Sequence, residues 1–275
     1  EDGRLFYTDK SGQLFSKKDT VIQEITGLPF VKFKGQGGLM DVILHPDFEN
    51  NQRVYLSYSK FKPSDERYAT TAVFSGVLES NELVNGKDIF VAEPYVNTNH
   101  HYGSRIVFDN GGFLFVSVGE RGRRDDHPQF LDNDLGKIHR LNDDGTVPND
   151  NPFTNTPGAR KSIYSYGHRN PQGLCYDPVS DKLYDNEHGP KGGDEVNLVE
   201  AGNNYGWPII TYGINYIGTK ITDLTHQDGM EQPIRYWVPS IATCGMAFVT
   251  SDKYPGWKGN VLSGSLKYNY LHRDV

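Results

Sequence analysis

The sequence predicts an all-β protein, and three observations carry that expectation. Its 275 residues include 30 glycines and 15 prolines, and 12% are aromatic. Short Val/Ile/Phe/Tyr runs alternate with turn residues, and no long segment sustains a 3.6-residue period. One phrase, a polar turn followed by a short apolar strand, recurs as EDGRLFYTD, ENNQRVYLSY, DNGGFLFVSVGE, PVSDKLYDNEHG and GWKGNVLSGSL. The copies lie roughly 50 to 80 residues apart, a spacing suited to propeller blades with inserted loops. A two-sheet sandwich also uses short strands, but gives no reason to repeat one hairpin phrase five times.

Four of the five copies follow a further hydrophobic strand, in DVILHPDF, SRIVFD, QGLCYDP and GMAFVTSDKYP, and each pair reads as an inner hairpin of a small antiparallel sheet. The first copy lacks that partner and the last runs out at Val275, which predicts a larger ring, incomplete at both chain ends, in one domain over 1–275. A chain starting at Glu1 rather than Met predicts that a leader or first segment precedes it. Two long loops, Arg121–Arg160 (with the short segment LGKIHRL) and Gly202–Gln232, are expected over one propeller face.

The third unit, HYGSRIVFDNGGFLFVSVGERG (101–122), is the most informative. Asp109-Asn110-Gly111-Gly112 separates two apolar runs and supplies positive φ at low cost. Antiparallel pairing then sets the start of the first strand beside the end of the second. His101 and Glu120 should therefore meet at the open end, either as a reactive pair or as a loop histidine and a solvated glutamate.

A formal charge of −7 and a pI near 5.7 argue against a phosphate-tracking surface, and Asp125 and Asp126 offset RGRR at 121–124. The apolar runs are too short to span a bilayer. Cys175 and Cys244, both in apolar contexts, are either thiols or one disulfide. No GxSxG elbow, P-loop or strand-linked GxGxxG fingerprint is present, and GQGG at 35–38 precedes a strand rather than a helix.

Two further loops carry chemistry. SYGHRNPQGL (165–174) places Arg169 and Asn170 before Pro171, which restricts Asn170 to extended backbone. Such a pair can polarise a carbonyl or bind an anion, or Arg169 can simply bond loop carbonyls. NEHGPKGGDEVN (186–197) gathers Glu187, His188, Asp194 and Glu195 around glycines. Backbone carbonyls beside carboxylates suit calcium rather than zinc, for which the dispersed histidines and the two cysteines make no ligand cluster of normal spacing; a tight acidic loop without metal is the alternative.

Together GQGGLMDVILHPDF, the 101–122 unit, SYGHRNPQGL, NEHGPKGGDEVNLVEAGNNYGWP, and GMAF followed by GSLK resemble the soluble pyrroloquinoline quinone (PQQ)-dependent sugar dehydrogenases, the glucose/sorbosone and aldose sugar dehydrogenase group. The resemblance implies a six-bladed β-propeller that oxidises the C1 hydroxyl of an aldose to a lactone and passes electrons to an external acceptor, in the periplasm or outside the cell. It implies His101 as general base, Glu120 as its acidic partner where the family has an aspartate, and Arg169 and Asn170 on the quinone oxygen. It further implies Gln36 toward the substrate, Lys267 on PQQ, and calcium on the carbonyls of Gly189 and Pro190. Glu195 and the Tyr205 carbonyl match a second, structural calcium site. The family's PQQ-carboxylate arginines follow the lysine, beyond Val275. Two other classes remain: a propeller without cofactor that serves as an interaction module, and a calcium-dependent propeller lactonase.

Overall fold

The computed structural model describes residues 3–274. Five antiparallel sheets account for nearly all its regular structure. The first contains β1 (Leu5–Asp9), β2 (Gln13–Lys18) and β3 (Val21–Ile25). The second contains β4 (Leu39–Leu44), β5 (Arg53–Lys62), β6 (Asp65–Glu79) and β7 (Glu82–Val91), with one turn of helix, α1 (Phe48–Asn51), before β5. The third runs β8 (Ile106–Phe108), β9 (Leu114–Val118), β10 (Lys137–Leu141), β11 (Ile163–Tyr166). In the fourth the order is β12 (Pro171–Asp177), β13 (Lys182–Glu187), β14 (Asp194–Val199), β15 (Arg235–Trp237). The fifth contains β16 (Thr243–Phe248), β17 (Val261–Ser265) and β18 (Tyr270–Asp274).

Each sheet is a blade, and the chain is an all-β propeller. The first strands form the inner line, with β1 against β4, β4 against β8, β8 against β12 and β12 against β16. The expectation of six blades needs correction: the described residues build five. Six came from the resemblance, whereas the repeated phrase occurs five times and each copy contributes to one sheet. LGKIHRL also departs from expectation. Placed in a loop by its polar surroundings, it supplies β10, pairing with β9 on one side and β11 on the other.

Alternation along each strand explains how neighbouring blades share cores. Val54 and Leu56 of β5 face Leu14 and Ile25 of the first sheet, while Tyr55 faces Ile106, Leu114 and Val116 of the third. Phe115 of β9 points the other way, toward Leu174, Leu183 and Val199 of the fourth. Successive side chains leave a strand on opposite faces, so a blade buried on both faces reads as a continuous apolar run. Where the inner strands meet, side chains bond neighbouring backbone: Arg105 Nε donates to the Gln172 carbonyl at 2.8 Å, and Ser117 Oγ to that of Pro171 at 2.9 Å. Cys175 and Cys244 are both free thiols.

Leu114 is fully buried between two blades, whereas Val179 is 84% exposed. Leu114→Ala should cost about 2–5 kcal/mol through lost burial and a residual cavity, and Val179→Ala no more than about 0.5 kcal/mol. Urea unfolding measures both; equal midpoints would contradict the shared-core description.

Candidate active site

Four backbone features converge at one end of the inner strands. Between β7 and β8 the chain wraps around the fully buried Arg121 side chain. Arg121 Nε donates to the His100 carbonyl at 2.9 Å, and its terminal nitrogens donate to Ala69 and Thr98 carbonyls at 2.9 and 2.7 Å. Its guanidinium lies 3.5 Å from the Tyr102 ring centroid. This wrapping holds His101 at φ +56°, turning its side chain out of the strand path. The His101 backbone N–H donates to Gln36 Oε1 at 2.7 Å.

At the far end of β9, Glu120 is buried and its Oε1 hydrogen-bonds His101 Nδ1. The expected pairing across the hairpin's open end is thus formed. Burial is the largest influence on His101 and pulls its imidazole down to about 4; the Glu120 hydrogen bond opposes this and the Arg169 charge reinforces it. The ring is neutral near pH 7. With Nδ1–H directed at Glu120, Nε2 is left as the proton acceptor.

The fourth sheet brings the second half of the site. Glu187 Oε2 accepts the backbone N–H groups of Arg169 and Asn170 at 2.6 and 3.2 Å, fixing the turn into β12. The Arg169 carbonyl receives the Glu120 N–H at 2.9 Å, and Asn170 Oδ1 receives the Gly103 N–H at 3.1 Å. Arg169 also donates to the His188 and Gly189 carbonyls, each at 2.8 Å. Asp194 holds the glycine loop by accepting the N–H of Gly189 at 2.9 Å and that of Ala242 at 2.6 Å. A side chain at Gly189 would put its Cβ 2.2 Å from the Gly193 carbonyl carbon.

Several buried polar atoms here have no partner: Arg169 Nε, Asn170 Nδ2, His188 Nε2 and Glu120 Oε2. Leaving such groups unpaired costs about 1–3 kcal/mol each, which is tolerated where a ligand completes them. Two unpartnered donors beside a third potential donor fit a ligand carrying quinone and carboxylate oxygens. Glu195 lines a small cavity with Gly189, Gly193 and Tyr205. Its carboxyl is pushed well above the usual range by burial and by Glu187, Asp185 and Asp194 nearby. Such crowded carboxyls can give up their protons to a cation, which would relieve the repulsion.

Two cavities flank His101–Gly103. The larger, about 480 Å³, is lined by Gln36, Tyr102, Gly103 and His188. The other, about 380 Å³, is lined by His101, Glu120, Arg169, Pro190, Trp207 and Tyr216. Both long loops contribute to this second cavity, as expected for loops over a face. Of the residues anticipated from sequence, Lys267 bonds the backbone of its own blade entrance. Its Nζ donates to the Ser240 carbonyl at 3.2 Å, and the residue lines neither cavity. Ser240 connects it indirectly to Pro190, whose carbonyl accepts from Ser240 Oγ at 3.3 Å.

Sequence reasoning missed Arg121, Trp207 and Tyr216. Arg121 sits in RGRR, which reads as surface charge, and only its burial separates it from Arg123 and Arg124. The loop acids were noticed, but Glu187 and Asp194 bind backbone N–H groups rather than simply facing a cation.

The family model described as glucose/sorbosone dehydrogenase matches residues 1–274. The chain is 46% identical over 247 residues to the aldose sugar dehydrogenase YliI of Escherichia coli (strain K12), covering 88% of this chain and 66% of that protein. It is 33% identical over 199 residues to quinoprotein glucose dehydrogenase B of Acinetobacter calcoaceticus, covering 64% of this chain and 41% of that one. The chain therefore spans two thirds or less of these curated relatives. Among solved structures, the PQQ-bound aldose sugar dehydrogenase of Streptomyces coelicolor superposes with a TM-score of 0.80 at 26% identity, covering 98% of this chain and 73% of that one.

The state of His101 has a measurable consequence. Its folded value, about 4, lies below the value near 6.5 of an unfolded histidine. Between those values the unfolded chain binds more protons, so this residue's contribution weakens folding as pH falls. From pH 6 to 4.5, wild type should lose stability relative to His101→Gln by about 1 kcal/mol per pH unit. Urea unfolding of both at each pH checks this; a pH-independent difference would contradict a neutral, desolvated imidazole.

Proposed function

Because the chain belongs to the glucose/sorbosone dehydrogenase family, we propose that it oxidises the C1 hydroxyl of aldose sugars to the lactone with PQQ and calcium, and that electrons leave to an external acceptor. The observation that carries this reading is the convergence of a neutral, carboxylate-anchored His101 with unpartnered donors on Arg169 and Asn170. When bound, PQQ supplies the hydride acceptor and calcium the Lewis acid that polarises it. Every other role falls to this chain.

His101 Nε2 takes the C1 hydroxyl proton, and Glu120 stabilises the imidazolium that results. Compared with an aspartate, glutamate's extra methylene lets Oε1 reach Nδ1 from the end of β9. Gln36 restrains the His101 backbone and presents its amide to the larger cavity. Arg169 Nε and Asn170 Nδ2 are the donors available to a quinone oxygen gaining negative charge. Gly189 and Pro190 would hold the cofactor's calcium through carbonyls, and Glu195 with the Tyr205 carbonyl a second one. Lys267 would offer PQQ the ammonium donors that its bond to the Ser240 carbonyl leaves over. A periplasmic or secreted location belongs to the same proposal.

An interaction module has no use for unsatisfied buried donors beside the cavity that His101 and Arg169 line. A propeller lactonase would draw side-chain calcium ligands from several blades, whereas Asp185, Glu187, Asp194 and Glu195 all belong to one sheet.

The test is dye reduction by the apo protein supplemented with PQQ and calcium, across a panel of aldoses. Turnover should require PQQ and sugar together, and His101→Ala should lower kcat about 10²–10⁴-fold while the bound-PQQ absorbance persists. No turnover and no spectral change on adding PQQ would overturn the reading. Undiminished turnover in His101→Ala would remove the base assignment.

A further inference from the structure

Behind the turn that carries Arg169, three buried side chains meet without an organic function assigned to them. His168 projects from the segment following β11, and Asp185 and Glu187 lie two apart on β13, hence on one face. His168 Nδ1 stands 3.3 Å from Glu187 Oε1 and 3.6 Å from Asp185 Oδ2. Among the described residues, this is the one group of three such side chains whose ligand atoms all lie within 4.8 Å of one another.

Asp185 is fully buried, and no donor reaches either carboxylate oxygen with full hydrogen-bond geometry, although the Asn197 amide lies close enough to influence its charge. The nearby Asn197 amide donates to Glu187 at 3.5 Å. No lysine or arginine of the described residues forms an ion pair with Asp185 or Glu187. Arg169, the nearest guanidinium in the turn, is committed to the His188 and Gly189 carbonyls. Two buried carboxylates beside an imidazole are electrostatically costly unless something positive joins them.

We propose that His168 Nδ1, Asp185 Oδ2 and Glu187 Oε1 form a binding site for a zinc-sized divalent transition metal. The two separations from His168 suit it: metal–ligand bonds of about 2.0–2.2 Å in a tetrahedron imply ligand–ligand edges of about 3.3–3.6 Å, and the two carboxylate oxygens lie within 4.8 Å of each other. One nitrogen and two carboxylate oxygens favour such an ion over calcium, which takes six or more oxygens. A dication also brings the two carboxylates to zero net charge.

The surroundings prepare each ligand. His168 Nε2 bonds Ser165 Oγ at 2.9 Å, a hydroxyl that can accept from Nε2–H once a metal takes the place of the Nδ1 hydrogen bond to Glu187 Oε1. The Tyr205 ring stacks on the imidazole, centroids 4.5 Å apart, and fixes its plane. Glu187 Oε2 is already occupied by two backbone N–H groups, so Oε1 binds as a single ligand. The ion would therefore sit directly behind the Arg169–Asn170 turn and stiffen it.

The experiment needs neither PQQ nor sugar, so its outcome is independent of the dehydrogenase reading. Chelator-stripped full chain is titrated with Co²⁺ in excess Ca²⁺, following visible absorption, and with Zn²⁺ by calorimetry. One equivalent should bind, with the intense bands of four-coordinate cobalt. Affinity should fall about 100-fold in His168→Gln and Asp185→Asn, and about tenfold in Ser165→Ala, which leaves all three ligands in place. Absence of four-coordinate bands in the wild-type protein overturns the proposal whether or not the variants fold. Bands that persist unchanged in the ligand variants overturn it as well.

Discussion

Backbone buried at the ends of the inner strands must find hydrogen-bond partners inside the protein, and much of this site follows from that requirement. Where one blade passes to the next, the chain turns without ladder partners. Charged side chains fill the gap: Glu187 takes two N–H groups, Asp194 takes those of Gly189 and Ala242, and Arg121 takes three carbonyls. The same bonds aim His101, Arg169 and Gly189 toward one face. Structural satisfaction and the placement of reactive groups are here one set of contacts.

Charge is distributed unevenly as a result. Arg121 remains protonated although burial lowers it to about 10, because carbonyls and the Tyr102 face replace its water. The acids of β13 and β14 have no comparable cations, so burial and mutual repulsion push Asp185 and Glu195 well up. Around His101 burial acts in the opposite direction and keeps the ring neutral. Desolvation thus disfavours charge on both kinds of group, leaving a neutral imidazole near carboxyls whose ionised form a cation would have to stabilise.

Much of the architecture was legible in the pattern of turn and strand. The repeated phrase located four inner hairpins, β4–β5, β8–β9, β12–β13 and β16–β17, because a turn and its flanking strands are specified by adjacent residues. The His101–Glu120 pairing was legible for the same reason, as a local consequence of one hairpin. LGKIHRL was not, since its strand forms only through ladder bonds to β9 and β11. Arg121 was invisible for a related reason: three identical side chains in RGRR differ only in what surrounds them once folded.

By itself, then, the sequence determined the all-β class, the hairpin units and the meeting of His101 with Glu120, all encoded in near neighbours along the chain. Tertiary structure decided that the described blades number five, that Lys267 bonds the Ser240 carbonyl, and that Glu187 and Asp194 act on backbone. It also decided the gathering of His168, Asp185 and Glu187. These outcomes depend on packing one blade against another, and the distances, burial and unpaired charge created there are not properties of any single segment.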